Sequence, residues 1–288
     1  MSDVERPITW RELLAQTTEV LGDRPSARWL CETACGLQGD DFLAAIDEAA
    51  TERMVAQLDS MVARHRSGEP LAYVMGSWSF RTLDLLVDRR VLIPRPETEW
   101  VAETALALAR SCPAPRTIVD LGTGSGAIGL AMAAELPGTA VWLTDASTDA
   151  LDVARANAAG LGRAAANVRF SLGSWFAALP DSLRGHVDVI VSNPPYIAPG
   201  DPEVQASVLE WEPAVALFAA DDGLADIAAI IAGAHGWLRP GGWLVLEIGH
   251  AQRDAVLRLL GDAGFEDFDV VADLAGRPRV ATGRTASS

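Results

Sequence analysis

Lysine is absent from the chain: all 23 basic residues are arginine, set against 39 acidic ones for a formal charge of −16. A charge of that sign repels polyphosphate at long range, which argues against unspecific DNA or RNA binding and against an anionic membrane surface as the main partner. Residues 1–80 hold 13 acidic and 7 basic side chains, and the remainder is acidic too, so neither part reads as a basic nucleic-acid clamp. Cysteine is scarce: Cys31, Cys35 and Cys112 cannot make a disulfide framework. Cys31 and Cys35 share one helix face without the further cysteine or histidine that a metal site needs, and read as buried small side chains. His65, His186, His235 and His250 are scattered and form no ligand pattern. The longest apolar run, residues 214–220, is seven residues long, against roughly 18 to 20 for a membrane helix. The N-terminal SDVERPITW carries charge where a secretory signal would be apolar. A cytoplasmic protein, without membrane or metal, is expected.

What is present is a hydrophobic share of 49% in 288 residues, enough to fill a large core. Trp10, Trp142 and Trp243 sit at amphipathic or strand positions and read as core packing. Up to about Gly68 the period is helical: Trp10, Leu13, Leu14 and Thr17, then Ala27, Leu30, Cys31 and Ala34, then Met54, Leu58, Met61 and Val62. Residues 1–69 are expected to form a small helical bundle. Residues 70–95, with aromatic and β-branched residues around Gly76-Ser77 and alternation at Leu83, Leu85 and Val87, predict a β-hairpin linker. From Arg116 onward strands alternate with helices of ten to fifteen residues. This predicts an α/β fold for residues 96–288, with a doubly wound, mostly parallel Rossmann-like sheet. FEDFDVVAD and RPRVATG, with no long helix between them, should pair antiparallel at its end, and the terminal RTASS should be loose.

The first strand of this sheet turns into its first helix through Asp120, Leu121, Gly122, Thr123, Gly124, Ser125 and Gly126. Glycines there let the backbone approach a ligand, and the helix start supplies free N–H groups. A dinucleotide loop has its third glycine one residue later, with a pyrophosphate on the helix dipole. The leading acid, Asp120, would repel that pyrophosphate and suits a ligand carrying an ammonium group. Asp145, ending the second strand, can accept hydrogen bonds from ribose hydroxyls. Together these describe an S-adenosyl-L-methionine site better than an NAD site, although an oxidoreductase or a cofactor-binding scaffold remains a competing reading.

Asn193, Pro194, Pro195 and Tyr196 follow the fourth strand and face the same crevice. The prolines stiffen the backbone and remove two N–H donors. The Asn193 side-chain oxygen and the Pro194 carbonyl could take both hydrogens of a planar NH₂ group. Such a nitrogen is a poor nucleophile because its lone pair is delocalised, so orienting it in line with a methyl sulfonium is the contribution that counts. Tyr196 would pack on the planar group, and alignment of this kind is worth roughly 7 to 11 kcal/mol. Neither a metal nor a general base is needed.

With IPRPETE (93–99), DLGTGSGAI (120–128) and SNPPYI (192–197), and the later Glu212-Pro213 and Asp222-Gly223-Leu224 segments, the chain resembles the bacterial peptide chain release factor glutamine methyltransferases along almost its whole length. The resemblance implies methyl transfer from S-adenosyl-L-methionine, leaving S-adenosyl-L-homocysteine. The acceptor is the side-chain amide of the glutamine in the Gly-Gly-Gln motif of class-one release factors, a step that supports translation termination. It implies that Asp120, Leu121, Gly122, Thr123 and Gly124 cradle the methionine part, Asp145 the ribose and Trp175 the adenine. Asn193, Pro194, Pro195 and Tyr196 grip the glutamine, with Asn193 touching the cofactor as well, while the IPRPETE segment helps close the cofactor site. Ser174, before Trp175, stands where the family usually has an acid that makes the polar contact to the adenine amino group, and Ser79, before Phe80, replaces another commonly acidic position in the linker. Release factors are the expected partners, docking on the helical N-terminal part of a monomer. The NPPY tetrapeptide is shared with adenine-amino nucleic-acid methyltransferases, the alternative reading.

Overall fold

A computed structural model describes residues 6–202 and 204–287. Residues 2–5 of the charged stretch that argues against a signal peptide therefore lie outside the described residues. The chain divides into two compact units between Gly76 and Ser77.

The first unit is helical: α1 (Trp10–Leu21), α2 (Arg24–Cys35), α3 (Gly39–Ala44), α4 (Glu52–Arg66) and α5 (Leu71–Met75). Local chemistry marks its ends. Thr9 and Glu12 form a reciprocal capping box at the start of α1, Asp23 and Thr51 cap α2 and α4, and Gly22 and Gly36 close α1 and α2 in the left-handed conformation. The apolar stripes meet in one core of Trp10, Leu13, Leu30, Cys31, Phe42, Leu58 and Met61, the positions picked out by the helical period together with Phe42. Two short helices, α3 and α5, escaped that period. α5 occupies the first part of the segment read as a hairpin linker, where Tyr73 and Val74 are buried.

The second unit opens with the hairpin, β1 (Ser77–Phe80) and β2 (Leu83–Leu86), whose register pairs Phe80 with Leu83. The reversal therefore falls at Arg81-Thr82, with Arg81 at φ 54°, while Gly76 ends α5. α6 (Thr98–Ser111) packs against β6, β7 and β9 of the main sheet, whose ranges follow; it precedes the alternation read from Arg116 and is an addition to it. Then follow β3 (Thr117–Leu121), α7 (Ala127–Glu135), β4 (Ala140–Asp145), α8 (Thr148–Leu161), β5 (Val168–Leu172) and β6 (Val187–Ser192). Two short helices, α9 (Ala206–Trp211) and α10 (Ala220–Gly223), lead to α11 (Ala225–Ala234), β7 (Leu238–Glu247), α12 (Arg253–Asp262), β8 (Glu266–Ala272) and β9 (Pro278–Arg284).

The seven strands lie in the order β5-β4-β3-β6-β7-β9-β8, parallel from β5 to β7 and antiparallel at β9 and β8, as the strand–helix alternation predicts. β6 is buried at every residue, the mark of a parallel strand covered on both faces. The chain winds outward from β3 through β4 to β5 and returns at β6, so the β3 and β6 carboxyl ends flank the switch point where such sheets bind ligands. The tail is less loose than its composition suggests. Arg284 belongs to β9, and the buried Thr285 donates to the Arg239 carbonyl at 2.7 Å and accepts from the Gly242 N–H at 3.0 Å. Among the described residues no helix is long and apolar enough to cross a membrane.

Candidate active site

The loop after β3 is built from glycines that the backbone requires. Gly122, Gly124 and Gly126 all have positive φ, at 71°, 55° and 86°. A Cβ on Gly122 would come within 3.2 Å of the Trp175 ring, and one on Gly129 within 2.7 Å of Leu143, whereas a Cβ on Gly124 would meet nothing within 4 Å. Gly124 thus lies against open space. The Gly122 and Thr123 N–H groups both donate to the Thr144 carbonyl at 2.9 Å, which binds the loop to the end of β4.

Asp120 lies beneath this loop, almost fully buried. Its Oδ2 accepts from the Thr123 hydroxyl at 2.6 Å and from the Gly129 N–H at 2.9 Å, so one carboxylate oxygen holds both the loop and the first turn of α7. Burial raises its pKa to about 6 against the pull of those two donors, and nearby Asp145 adds to the rise. Asp145 holds the loop from the other side, accepting from the Gly124 N–H through Oδ2 and from the Ser147 N–H through Oδ1, each at 2.9 Å. Asn157 on α8 ties in the hairpin: its Nδ2 donates to the carbonyls of Leu86 and Ser125, and its Oδ1 accepts from the Leu86 N–H.

Opposite the glycines stands Trp175, at φ 45°, a conformation a bulky residue adopts only when its surroundings impose it. Its indole N–H donates to Asp226 Oδ1 at 3.2 Å. Asp120, Gly122, Thr123, Gly124, Asp145, Ser174, Trp175 and Asp226 all line one cavity of about 780 Å³, as do Asn193 and Pro195. Leu121 lies fully buried behind it in the core of the sheet. A second cavity of about 580 Å³ is lined by Pro194 and Tyr196, by Glu97, Glu247 and Arg279, and again by Asn193. Asn193 stands where the two spaces adjoin.

The residues after β6 are tightly held. Asn193 Nδ2 donates to Thr98 Oγ1 at 3.3 Å, Thr98 Oγ1 donates to Glu247 Oε2 at 2.6 Å, and the Tyr196 hydroxyl donates to Glu247 Oε1 at 3.0 Å. Glu247 is buried at the end of β7, and burial raises its pKa. The Tyr196 carbonyl accepts from Gln252 Nε2 at 3.0 Å, and a Cβ on Gly223 would lie 2.1 Å from that carbonyl oxygen. Asp221, Asp222 and Gly223 are all left-handed, so the backbone pressed against Tyr196 is strained as well as close.

The IPRPETE segment meets the other distant stretch quoted for the resemblance. Buried Glu212 accepts from the Ile93 N–H at 3.1 Å and pairs with the Arg95 guanidinium. Thr98 and Glu212 enter the sequence reading only within the quoted segments, and Glu247, Asn157 and Asp226 not at all. The available signal was a carboxylate ending an otherwise apolar strand (WLVLE) and a helical period at Val101, Ala102, Ala105, Leu106 and Ala109 starting beside Thr98.

Family matches divide the chain much as the compact units do: the PrmC N-terminal domain matches residues 9–76 and the methyltransferase small domain residues 103–210. The release factor glutamine methyltransferase of Burkholderia pseudomallei is 43% identical over 96% of each chain. That of Escherichia coli K12 is 40% identical over 95% of this chain and 96% of its own. Among solved structures, the hMettl16 catalytic domain in complex with MAT2A 3'UTR hairpin 6 superposes with a TM-score of 0.53 at 14% identity, covering 83% of each chain, a likeness of fold. Sequence identity of this extent, over nearly the full length of both chains, makes the chain a member of the release factor glutamine methyltransferase family.

Proposed function

We infer that this chain methylates the side-chain amide nitrogen of a glutamine, that of the Gly-Gly-Gln motif in class-one release factors, with S-adenosyl-L-methionine as donor. The observation that carries the reading is Asn193, which lines both cavities at once. A donor held on one side and an acceptor on the other would meet at its side chain.

The first cavity fits the donor by shape and charge. Its glycine wall is open at Gly124, Asp120 and Asp145 present carboxylates, and the Trp175 ring offers an apolar face. Asp120, Gly122, Thr123 and Gly124 would hold the methionine part, Asp145 the ribose hydroxyls and Trp175 the adenine; Leu121, expected among them, is buried in the sheet core, where its carbonyl accepts from the Ser192 hydroxyl, and does not line the cavity. Asp145 retains lone pairs for hydroxyl donors, because each of its oxygens is engaged by a single N–H. Bound there, S-adenosyl-L-methionine supplies an electrophilic methyl group on a sulfonium.

The chain's own work is orientation. Asn193 Oδ1 and the Pro194 carbonyl accept from the two hydrogens of the acceptor amide, turning its weak nucleophile toward the donor, and Pro195 keeps this backbone stiff. Tyr196, its hydroxyl held by Glu247, gives the amide a fixed apolar wall. No base or metal is called on: the C–N bond forms as the S–CH₃ bond breaks, S-adenosyl-L-homocysteine leaves, and the cationic nitrogen sheds one proton to water. The helical unit serves to dock the protein substrate, and the enzyme acts as a cytoplasmic monomer.

The test is mass spectrometry of a release factor incubated with the enzyme and S-adenosyl-L-methionine. One added methyl on the Gly-Gly-Gln glutamine is expected. Its absence while calorimetry shows the cofactor bound, or transfer to adenine in DNA instead, would overturn the reading. Asn193→Ala should keep cofactor affinity and lose turnover by roughly two to three orders of magnitude.

A further inference from the structure

We propose that Thr98 and Glu247 are positioning residues for the acceptor amide, fixing through one directed chain of hydrogen bonds which end of the Asn193 side chain faces the substrate. The proposal rests on the reading above, in which Asn193 receives the acceptor nitrogen.

The direction of the chain follows from counting hydrogens. A carboxylate only accepts, and a threonine hydroxyl has one proton and two lone pairs. At 2.6 Å from Glu247 Oε2, the Thr98 hydroxyl commits its proton to the carboxylate. Toward Asn193, 3.3 Å away, it has only a lone pair to offer. The end of Asn193 facing Thr98 must therefore be the NH₂ group, and Oδ1 must face the other way. Among the described residues nothing donates to that oxygen. A side-chain amide has two nearly isosteric ends, and an Asn193 turned over would offer a donor to a substrate that needs an acceptor. Thr98 and Glu247 make that orientation unambiguous.

The same carboxylate sets the neighbouring residue. Its other oxygen accepts from the Tyr196 hydroxyl at 3.0 Å, so the two side chains of the tetrapeptide that carry polar groups are both referenced to Glu247. Thr98 is the first residue of α6 and Glu247 the last of β7, both rigid elements of the sheet layer. Burial raises the Glu247 pKa and Glu97 adds to the rise, while the Thr98 and Tyr196 hydroxyls and Arg279 favour its ionised form. An ionised Glu247 keeps the direction of the chain, because it has no proton to give back.

Turnover, release-factor KM, cofactor affinity and melting temperature would be compared in wild type, Thr98→Val, Thr98→Ser and Glu247→Gln. Thr98→Val keeps the shape and removes the relay, and should lower kcat on the order of 100-fold, with KM and cofactor affinity little changed. Thr98→Ser restores the hydroxyl and should recover most of the rate. Glu247→Gln can donate where the carboxylate accepts, and should also lose turnover while still binding cofactor. In an Asn193→Ala background, adding Thr98→Val should cost nothing more, because the group it orients is gone.

Wild-type turnover in a folded Thr98→Val or Glu247→Gln, or additive losses in the double variant, would overturn the proposal. If Thr98→Val melts early, the Thr98→Ser rate and the Glu247→Gln split decide it: a slow Thr98→Ser or a fast Glu247→Gln would count against it. Failure of the wild type to methylate glutamine would instead remove the function on which the relay rests, so the two failures are told apart.

Discussion

Asp120 carries two demands that pull in opposite directions with pH. Its folded pKa is about 6, raised chiefly by burial, so the protonated form is favoured in the native state. Its stabilising contribution is complete below the unfolded value, near 4, and is lost as pH rises through about 6, a difference on the order of 3 kcal/mol. A cationic ligand favours the ionised form instead. Relative to Asp120→Asn, the wild type should therefore gain stability toward acid while its affinity for S-adenosyl-L-methionine weakens below about pH 6. Denaturant midpoints and calorimetric Kd values across that range would check both; an affinity difference that does not change with pH would refute the assignment. Asp120 was legible in sequence because its meaning is local, an acid opening a glycine turn. Thr98 and Glu247 were not, because they meet across a sequence separation of 149 residues, and their chemistry exists only once α6 lies on β7. Asp226 belongs with them. Ser174 removes the acid expected beside Trp175, and the carboxylate on that wall comes from the start of α11.

Elements were more readable than their attachments. β6 announces itself by continuous apolar residues and the helices by their period, yet nothing local says how the hairpin joins the sheet layer. Arg81 does it from the turn. Its guanidinium makes two bonds to Glu135 and one to Glu103, and its N–H donates to Glu99. Its side chain is 16% exposed and that of Glu135 20%, so the pair is shielded enough to matter. Arg81 holds the Glu135 pKa below the usual range. This stability is accordingly present at neutral pH and lost as pH falls through the depressed folded value. Arg81→Ala should cost about 1–3 kcal/mol near neutrality, and the gap to wild type should narrow below about pH 4. Equal denaturant midpoints near neutrality would show that the hairpin is held by its apolar face alone.

At the scale of the whole molecule, acidity and division into units bear on the substrate. A charge of −16 with no lysine leaves little to attract nucleic acid, so among acceptors presenting a planar NH₂ it favours a protein. A protein substrate needs surface as well as a pocket. The helical unit has its own core around Trp10, Leu30, Phe42 and Leu58, and the cavity at the glycine loop is lined from residue 89 onward. If the helical unit docks the substrate, chemistry and docking are separated by cutting at Gly76-Ser77, which lies beyond the expected start of the linker at residue 70 because Leu71–Met75 forms α5. A chain beginning at Ser77 retains the sheet, the glycine loop and Asn193. It should bind S-adenosyl-L-methionine like the full protein and methylate a short Gly-Gly-Gln peptide at a similar rate, while kcat/KM for an intact release factor falls at least about tenfold, some 1.4 kcal/mol of lost recognition. Equal losses on peptide and release factor would move recognition out of the helical unit, and no loss on either would leave that unit without a part in catalysis.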